Sequence, residues 1–236
     1  MRPVNRGVVP TDSDGNPVDF KAYGDARDDL IGRLGGYCSY CEIYLPMALA
    51  VEHIQPKSLE PTLEKEWSNF LLSCPSCNSI KGAKVINALN LHNYFWVHSD
   101  NTFRAFVYEK DRSPQVATSL NDAQQQIAQN TLELTGLNRE PEPTNRQNVK
   151  DPRWKARKAV WEIAKRQKDY LSQQPTEITR NLIIENAISR GFWSVWMTVF
   201  EDYTDMRRRL IEAFQGSCKE CFDLDTKPIP RAGGKI

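Results

Sequence analysis

Two Cys-x-x-Cys pairs, Cys38-Ser39-Tyr40-Cys41 and Cys74-Pro75-Ser76-Cys77, bracket residues 42–73 of the chain. A two-residue spacer lets one tight turn aim both sulfurs at a single centre, and two such pairs supply the four thiolates of a tetrahedral zinc site. Four protein ligands leave no position for water, so that zinc would staple loops together and activate nothing. The bracketed loop carries Val51-Glu52-His53-Ile54 and then Asn69, and Asn78 follows the second pair directly. A neutral imidazole with a pKa near ~6.5 takes a proton from water at physiological pH. Singly these residues say little: a lone His is more often packed or solvated, and Asn commonly serves a turn or cap.

The elements that must position them are short. Ala48-Leu49-Ala50-Val51 reads as a strand leading into a turn at Gln55-Pro56, and Phe70-Leu71-Leu72 as its partner. A helix is expected over Asn78 to Ala88, with Lys81 and Lys84 three apart on one face and, like Lys57, able to meet phosphates. A helix from Ala22 to Leu34, stopped by Gly35-Gly36, delivers the chain into the first cysteine pair.

The order Cys-x-x-Cys, Glu-His-Ile-x-Pro-Lys, Trp-x-Asn-Phe-Leu-Leu, Cys-x-x-Cys-Asn-x-x-Lys-Gly resembles the cysteine-flanked HNH endonucleases. That resemblance implies a ββα-metal finger, a hairpin and a helix around one divalent ion. It makes His53 the general base, Asn69 the residue that fixes the loop, and Asn78 the third motif position. Glu52 becomes the acidic metal ligand, one carbon longer than the more usual Asp, and its oxygens with that of Asn78 would hold a hard ion, Mg²⁺ or Mn²⁺, that keeps much of its water shell. The flanks Arg2-Pro3-Val4-x-Arg6-Gly7, Leu34-Gly-Gly-Tyr-Cys-Ser-Tyr-Cys-Glu42 and Leu134-Thr-Gly-Leu-Asn138 are similar to the HNH nuclease subunit of Septu and retron-associated anti-phage systems (PtuB-like), over about the first two-thirds of the chain. This likeness implies an ATPase partner subunit, and by extension a retron reverse transcriptase with its RNA/DNA hybrid.

The chain's 236 residues carry a net charge of +1, which gives no global attraction to nucleic acid, so binding must come from local basic surface. There is no apolar run long enough for a membrane span and no apolar leader at the start, and six cysteines, four in metal-type spacing, suit a reducing cytoplasm, which the resemblance implies is bacterial. The expected fold class is α+β, mostly α: a ββα-metal finger stapled by a four-cysteine zinc site, with a helical C-terminal region. Its parts are an extended arm (1–21), the nuclease core with its zinc (22–138), a linker (139–149) around Pro141-Glu142-Pro143, a helical region (150–216) and a tail (217–236).

Within the core, Phe103 to Tyr108 reads as a strand and Asn121 to Thr135 as a helix stopped by Gly136. Further helices are expected over 152–171, Thr176 to Arg190, and Phe192 to Phe214, the last with a wide aromatic stripe. Residues 150–170 hold eight basic and three acidic side chains, Lys155 and Lys158 among them, a stripe suited to a nucleic-acid backbone or simply to solvent. His92 and His98 are secondary candidates for metal or phosphate contact. Cys218 and Cys221 lack a second pair and read as two tail cysteines in a flexible end.

The competing class is a non-catalytic four-cysteine zinc module that binds nucleic acid or a protein partner. In that class His53 is dispensable while the zinc cysteines are essential.

Overall fold

The computed structural model describes residues 1–82, 84–140 and 151–236. A 3₁₀ turn at Tyr23–Ala26 runs into α1 (Arg27–Leu34), which buries Leu30 and Leu34. After the first cysteine pair, β1 (Ala50–His53) pairs antiparallel with β2 (Phe70–Ser73), placing His53 opposite Phe70 and Glu52 opposite Leu71. The outer edge of β2 is covered rather than open. Ser39 donates its N–H to Leu72 O at 2.8 Å and accepts from Leu72 N at 3.2 Å, and the Arg6 guanidinium donates to Phe70 O.

Helix α2 (Pro75–Lys81) follows β2 at once and completes a ββα finger. It starts three residues earlier than the expected Asn78 and stops well short of Ala88. The reason is local chemistry: Cys74 is the N-cap, its sulfur accepting from Cys77 N at 3.5 Å, and Pro75 fills the first position, where no N–H is needed. Gly82 ends the helix at φ +49°. Residue 83 lies outside the described residues.

β3 (Phe106–Val107) and β4 (Gln115–Val116) make a two-residue ladder, shorter than the strand expected over 103–108. α3 (Asp122–Thr135) begins with a capping box between Asn121 and Gln124 and ends at Gly136 in the left-handed region. α4 (Pro152–Gln173) and α5 (Glu177–Arg190) are capped by the side chains of Asp151 and Thr176. The single helix expected from Phe192 to Phe214 is two, α6 (Trp193–Val199) and α7 (Thr204–Ala213). The break folds α7 back, so that Trp193 Nε1 donates to Leu210 O at 3.3 Å and both aromatic faces enter one core. One straight helix could not bring those residues together.

The fold is therefore mixed α+β with a helical majority. Its first core collects Leu30, Leu34, Val51, Phe70, Leu71, Leu72, Trp96 and Leu132, and its second Val160, Ile183, Trp193, Trp196, Phe200 and Phe214. The first cysteine loop joins them. The buried Glu42 carboxylate accepts from Ser194 N at 3.0 Å and Ser194 Oγ at 2.6 Å, and Gly191 lies against the Glu42 carbonyl. Residues 141–150, most of the expected linker, lie outside the described residues.

The arm is docked: Val4 N donates to Val97 O at 2.7 Å, and Arg2 donates to Leu34 O at 2.7 Å and Gln215 O at 2.6 Å. The tail is not the flexible end expected. Asn101 Nδ2 holds Cys221 O (2.8 Å) and Ile229 O (2.7 Å), Arg231 reaches Val4 O at 3.0 Å, and Asp100 accepts from Lys235 N at 2.8 Å. Among the described residues no helix is long and apolar enough to cross a membrane.

Candidate active site

The sulfurs of Cys38, Cys41, Cys74 and Cys77 all lie within 4.8 Å of one another and all four residues are buried. None is in a disulfide. Burial pushes the Cys41 and Cys77 thiols well up, so a fully ionised cluster requires a cation to balance it. Four soft sulfurs at this separation, enclosed by protein, fit a structural zinc. The Arg153 guanidinium at the start of α4 donates to Cys77 Sγ at 3.1 Å, the kind of outer hydrogen bond that tunes a metal-bound thiolate. Among the described residues no third ligand joins Cys218 and Cys221, which are buried beneath the tail.

The finger's second feature is a cleft of about 270 Å³ lined by Glu52, His53, Lys57, Asn78 and Lys81, with Tyr23 on its wall. β1 brings Glu52 and His53 in from the strand end and α2 brings Asn78 and Lys81 from the facing side. The His53 ring packs edge-on against Tyr23 (4.9 Å between centroids) and Phe70 (5.4 Å). Its Nε2 lies 2.9 Å from Glu64 O, and because a carbonyl only accepts, Nε2 carries the proton. Nδ1 is then the lone-pair nitrogen, and among the described residues it has no protein partner. Burial lowers the His53 pKa, which keeps the ring neutral.

Asn69 does what a loop-fixing residue must. Its Oδ1 accepts from Gln55 N at 2.8 Å, and its Nδ2 donates to Gln55 O at 2.9 Å and Leu63 O at 3.2 Å, clamping the turn after β1 to the segment before β2. Asn78 is exposed at the cleft mouth. Glu52 is buried, and its Oε1 lies 2.7 Å from Lys81 Nζ, itself buried and donating to His53 O at 2.6 Å. Burial raises the Glu52 pKa, opposed by the Lys81 charge. The second Glu52 oxygen, on a carboxylate that the Tyr40 phenol adjoins, and the exposed Asn78 amide oxygen are the cleft's candidate hard donors. That set fits a divalent ion that keeps most of its water, held by few protein ligands.

The two finger lysines do not act as a phosphate-facing pair. Lys81 is enclosed with Glu52, and Lys84, beyond the helix end, caps α3 by donating to Glu133 O (2.9 Å) and Leu134 O (3.2 Å). Lys57 stays at the cleft rim, bound to Glu64 at 3.1 Å and 4.2 Å above the Tyr23 ring. On α4, Lys155 is exposed but Lys158 pairs with Asp111 at 2.6 Å. Arg153 and Arg157 are buried and Lys150 lies outside the described residues, so the basic count does not become a continuous stripe. His92 is exposed and His98 largely enclosed, both outside the cleft. A second cleft, about 510 Å³ between the β3 loop, α4 and α6, has mixed charge, with Lys168 already bound to Asp202.

Sequence reasoning missed Tyr23, Arg153 on Cys77, and the task of Lys81. Only the last left a signal: Lys81 stands three residues after Asn78 in the same helix, hence on the same face. No relative among curated proteins matches the chain. Residues 38–84, which span both cysteine pairs, His53, Asn69 and Asn78, match the family model of the HNH endonucleases.

Proposed function

We propose that the chain is a metal-dependent endonuclease that hydrolyses phosphodiester bonds of nucleic acid in the His53 cleft. The observation that carries this reading is the pairing of His53, its tautomer set by Glu64 O, with the oxygen donors of Glu52 and Asn78 in one cleft of a ββα finger. His53 Nδ1 takes a proton from the attacking water, and burial holds the ring neutral for that task. Asn69 keeps the His53 turn rigid. Glu52 and Asn78 would hold a divalent ion, which would supply charge relief on the phosphate and at the leaving oxygen. Zinc in the cysteine cluster is structural, a staple for the strands and helix that carry the site.

DNA is the favoured substrate, with structured RNA such as tRNA as the second, since no motif here reads a 2′-hydroxyl. The likeness of the flanking segments to Septu and retron-associated nuclease subunits supports a further step: the chain works as a defence effector restrained by an ATPase subunit. A free nuclease would endanger its own host, which fits such restraint. The alternative is the non-catalytic zinc module.

The experiment is cleavage of plasmid DNA and bulk tRNA in Mg²⁺ or Mn²⁺ by wild type and His53→Ala, alone and with the ATPase subunit. Metal-dependent cutting that vanishes in the variant is expected. Zinc-loaded proteins that behave alike would favour the binding module, and host toxicity of wild type expressed with its ATPase would count against the restraint.

A further inference from the structure

The Glu52 carboxylate does not face the cleft as a bare anion. Lys81 Nζ sits 2.7 Å from its Oε1, both side chains are almost wholly enclosed (5% exposed for Glu52 and 2% for Lys81), and the same ammonium donates to His53 O at 2.6 Å. The Tyr40 phenol, held protonated by burial and by the Glu52 charge, adjoins the carboxylate from the zinc side. An ammonium locked this close neutralises much of the charge that a divalent ion would seek, and repels the ion itself at a few ångströms. A lysine whose only task were to tie β1 to α2 would not have to touch the carboxylate at the cleft, because its bond to His53 O already makes that tie.

We propose that Lys81 is a positioning residue that sets the divalent-ion affinity of the site: its 2.7 Å pairing with one Glu52 oxygen fixes the carboxylate in one orientation as a half-neutralised ligand, the other oxygen being the one a metal would take. This inference rests on the nuclease reading for the identity of the metal ligand. Its consequence is a weak, readily exchanged ion rather than a resident one, so the charge of residue 81 sets how much metal the enzyme needs.

The test compares Mn²⁺ binding by calorimetry and electron paramagnetic resonance, at pH 8, in wild type, Lys81→Gln and Lys81→Arg. Gln retains an N–H donor for His53 O while removing the charge; Arg keeps the charge. Zinc content and thermal unfolding are recorded for each. The expected result is a zinc-loaded Lys81→Gln protein that binds Mn²⁺ about tenfold more tightly or better. Its half-saturating Mn²⁺ in cleavage should fall by the same factor, with Lys81→Arg close to wild type. Unchanged or weaker Mn²⁺ binding in Lys81→Gln overturns the proposal, and so does loss of zinc, which would make the lysine structural. Failure of the nuclease reading looks different: wild type would show no His53-dependent cutting, whatever the Mn²⁺ affinities of the three proteins.

Discussion

Arg153 and Cys77 lie 76 residues apart in sequence, yet the guanidinium donates to the sulfur at 3.1 Å. The same group donates to Thr135 O and Gly136 O, both at 2.8 Å, and pairs with Asp151 at 2.6 Å, all out of solvent. One side chain thus joins the cysteine cluster, the end of α3 and the start of α4. Arg153→Met leaves these acceptors and one buried carboxylate unanswered. It is expected to cost about 3 kcal/mol of stability. Zinc should also leave faster to a chelator, which a colorimetric zinc-release assay measures.

Loss of the zinc itself should be more severe. The four sulfurs hold the first cysteine loop to the β2–α2 junction, and structural zinc contributes folding energy outright. Cys74→Ser removes both a ligand and the cap of α2. Chelation of wild type, or this substitution, should abolish the cooperative thermal transition followed by circular dichroism.

For His53 the expectation is the reverse: a folded, zinc-loaded protein that does not cut. His53→Ala should lower the rate by about 10²–10⁴-fold. Because burial lowers the His53 pKa from its ordinary 6.5, the acid limb of the wild-type rate should lie below that value. A profile of single-turnover rate against pH whose acid limb lies at or above 6.5 would count against His53 as the base. Asn69→Ala, which frees the turn at three hydrogen bonds, should lower both rate and stability, the latter by about 2 kcal/mol.

These contrasts show what the sequence could and could not convey. Cysteine spacing and the order Glu52, His53, Asn69, Asn78 were legible because metal and base chemistry demand residue types at short separations. Strand and cap signals around Phe70, Asn121, Thr176 and Gly136 were legible for the same local reason. The break at Phe200–Tyr203 and the docked tail were not, since each depends on contacts between distant segments: Trp193 with Leu210, Asn101 with Ile229. On α4 a charge count does not tell inward from outward residues: Arg153 and Arg157 are buried, while Lys155, Lys165 and Arg166 are exposed.

His98 gives a separate acid response. Burial, then the charges of Arg6, Arg231 and Lys235, lowers its pKa from 6.5 to about 3. Between those values the unfolded chain binds a proton that the folded chain refuses. Its contribution to stability is therefore complete above pH 6.5 and is lost as pH falls toward 3, by at most about 4–5 kcal/mol. His98→Gln should flatten the dependence of urea midpoint on pH over this window. Parallel curves for variant and wild type would show that His98 is not the titrating group.

Gly191 tests whether the helical region supports the zinc loop. It sits at φ +74°, and a Cβ there would come within 2.3 Å of Glu42 O and 2.6 Å of Tyr44 N, backbone atoms of the segment just after Cys41. Gly15 has a comparable φ of +83° but open space around it. Both Ala substitutions carry the strain of a left-handed residue, about 1 kcal/mol. Only Gly191→Ala must also displace the loop, so it should cost about 2–4 kcal/mol and loosen zinc, whereas Gly15→Ala leaves zinc retention as in wild type. Equal losses in the two variants would mean that the contact between residue 191 and the loop contributes little, and that the cysteine cluster stands independently of α5 and α6.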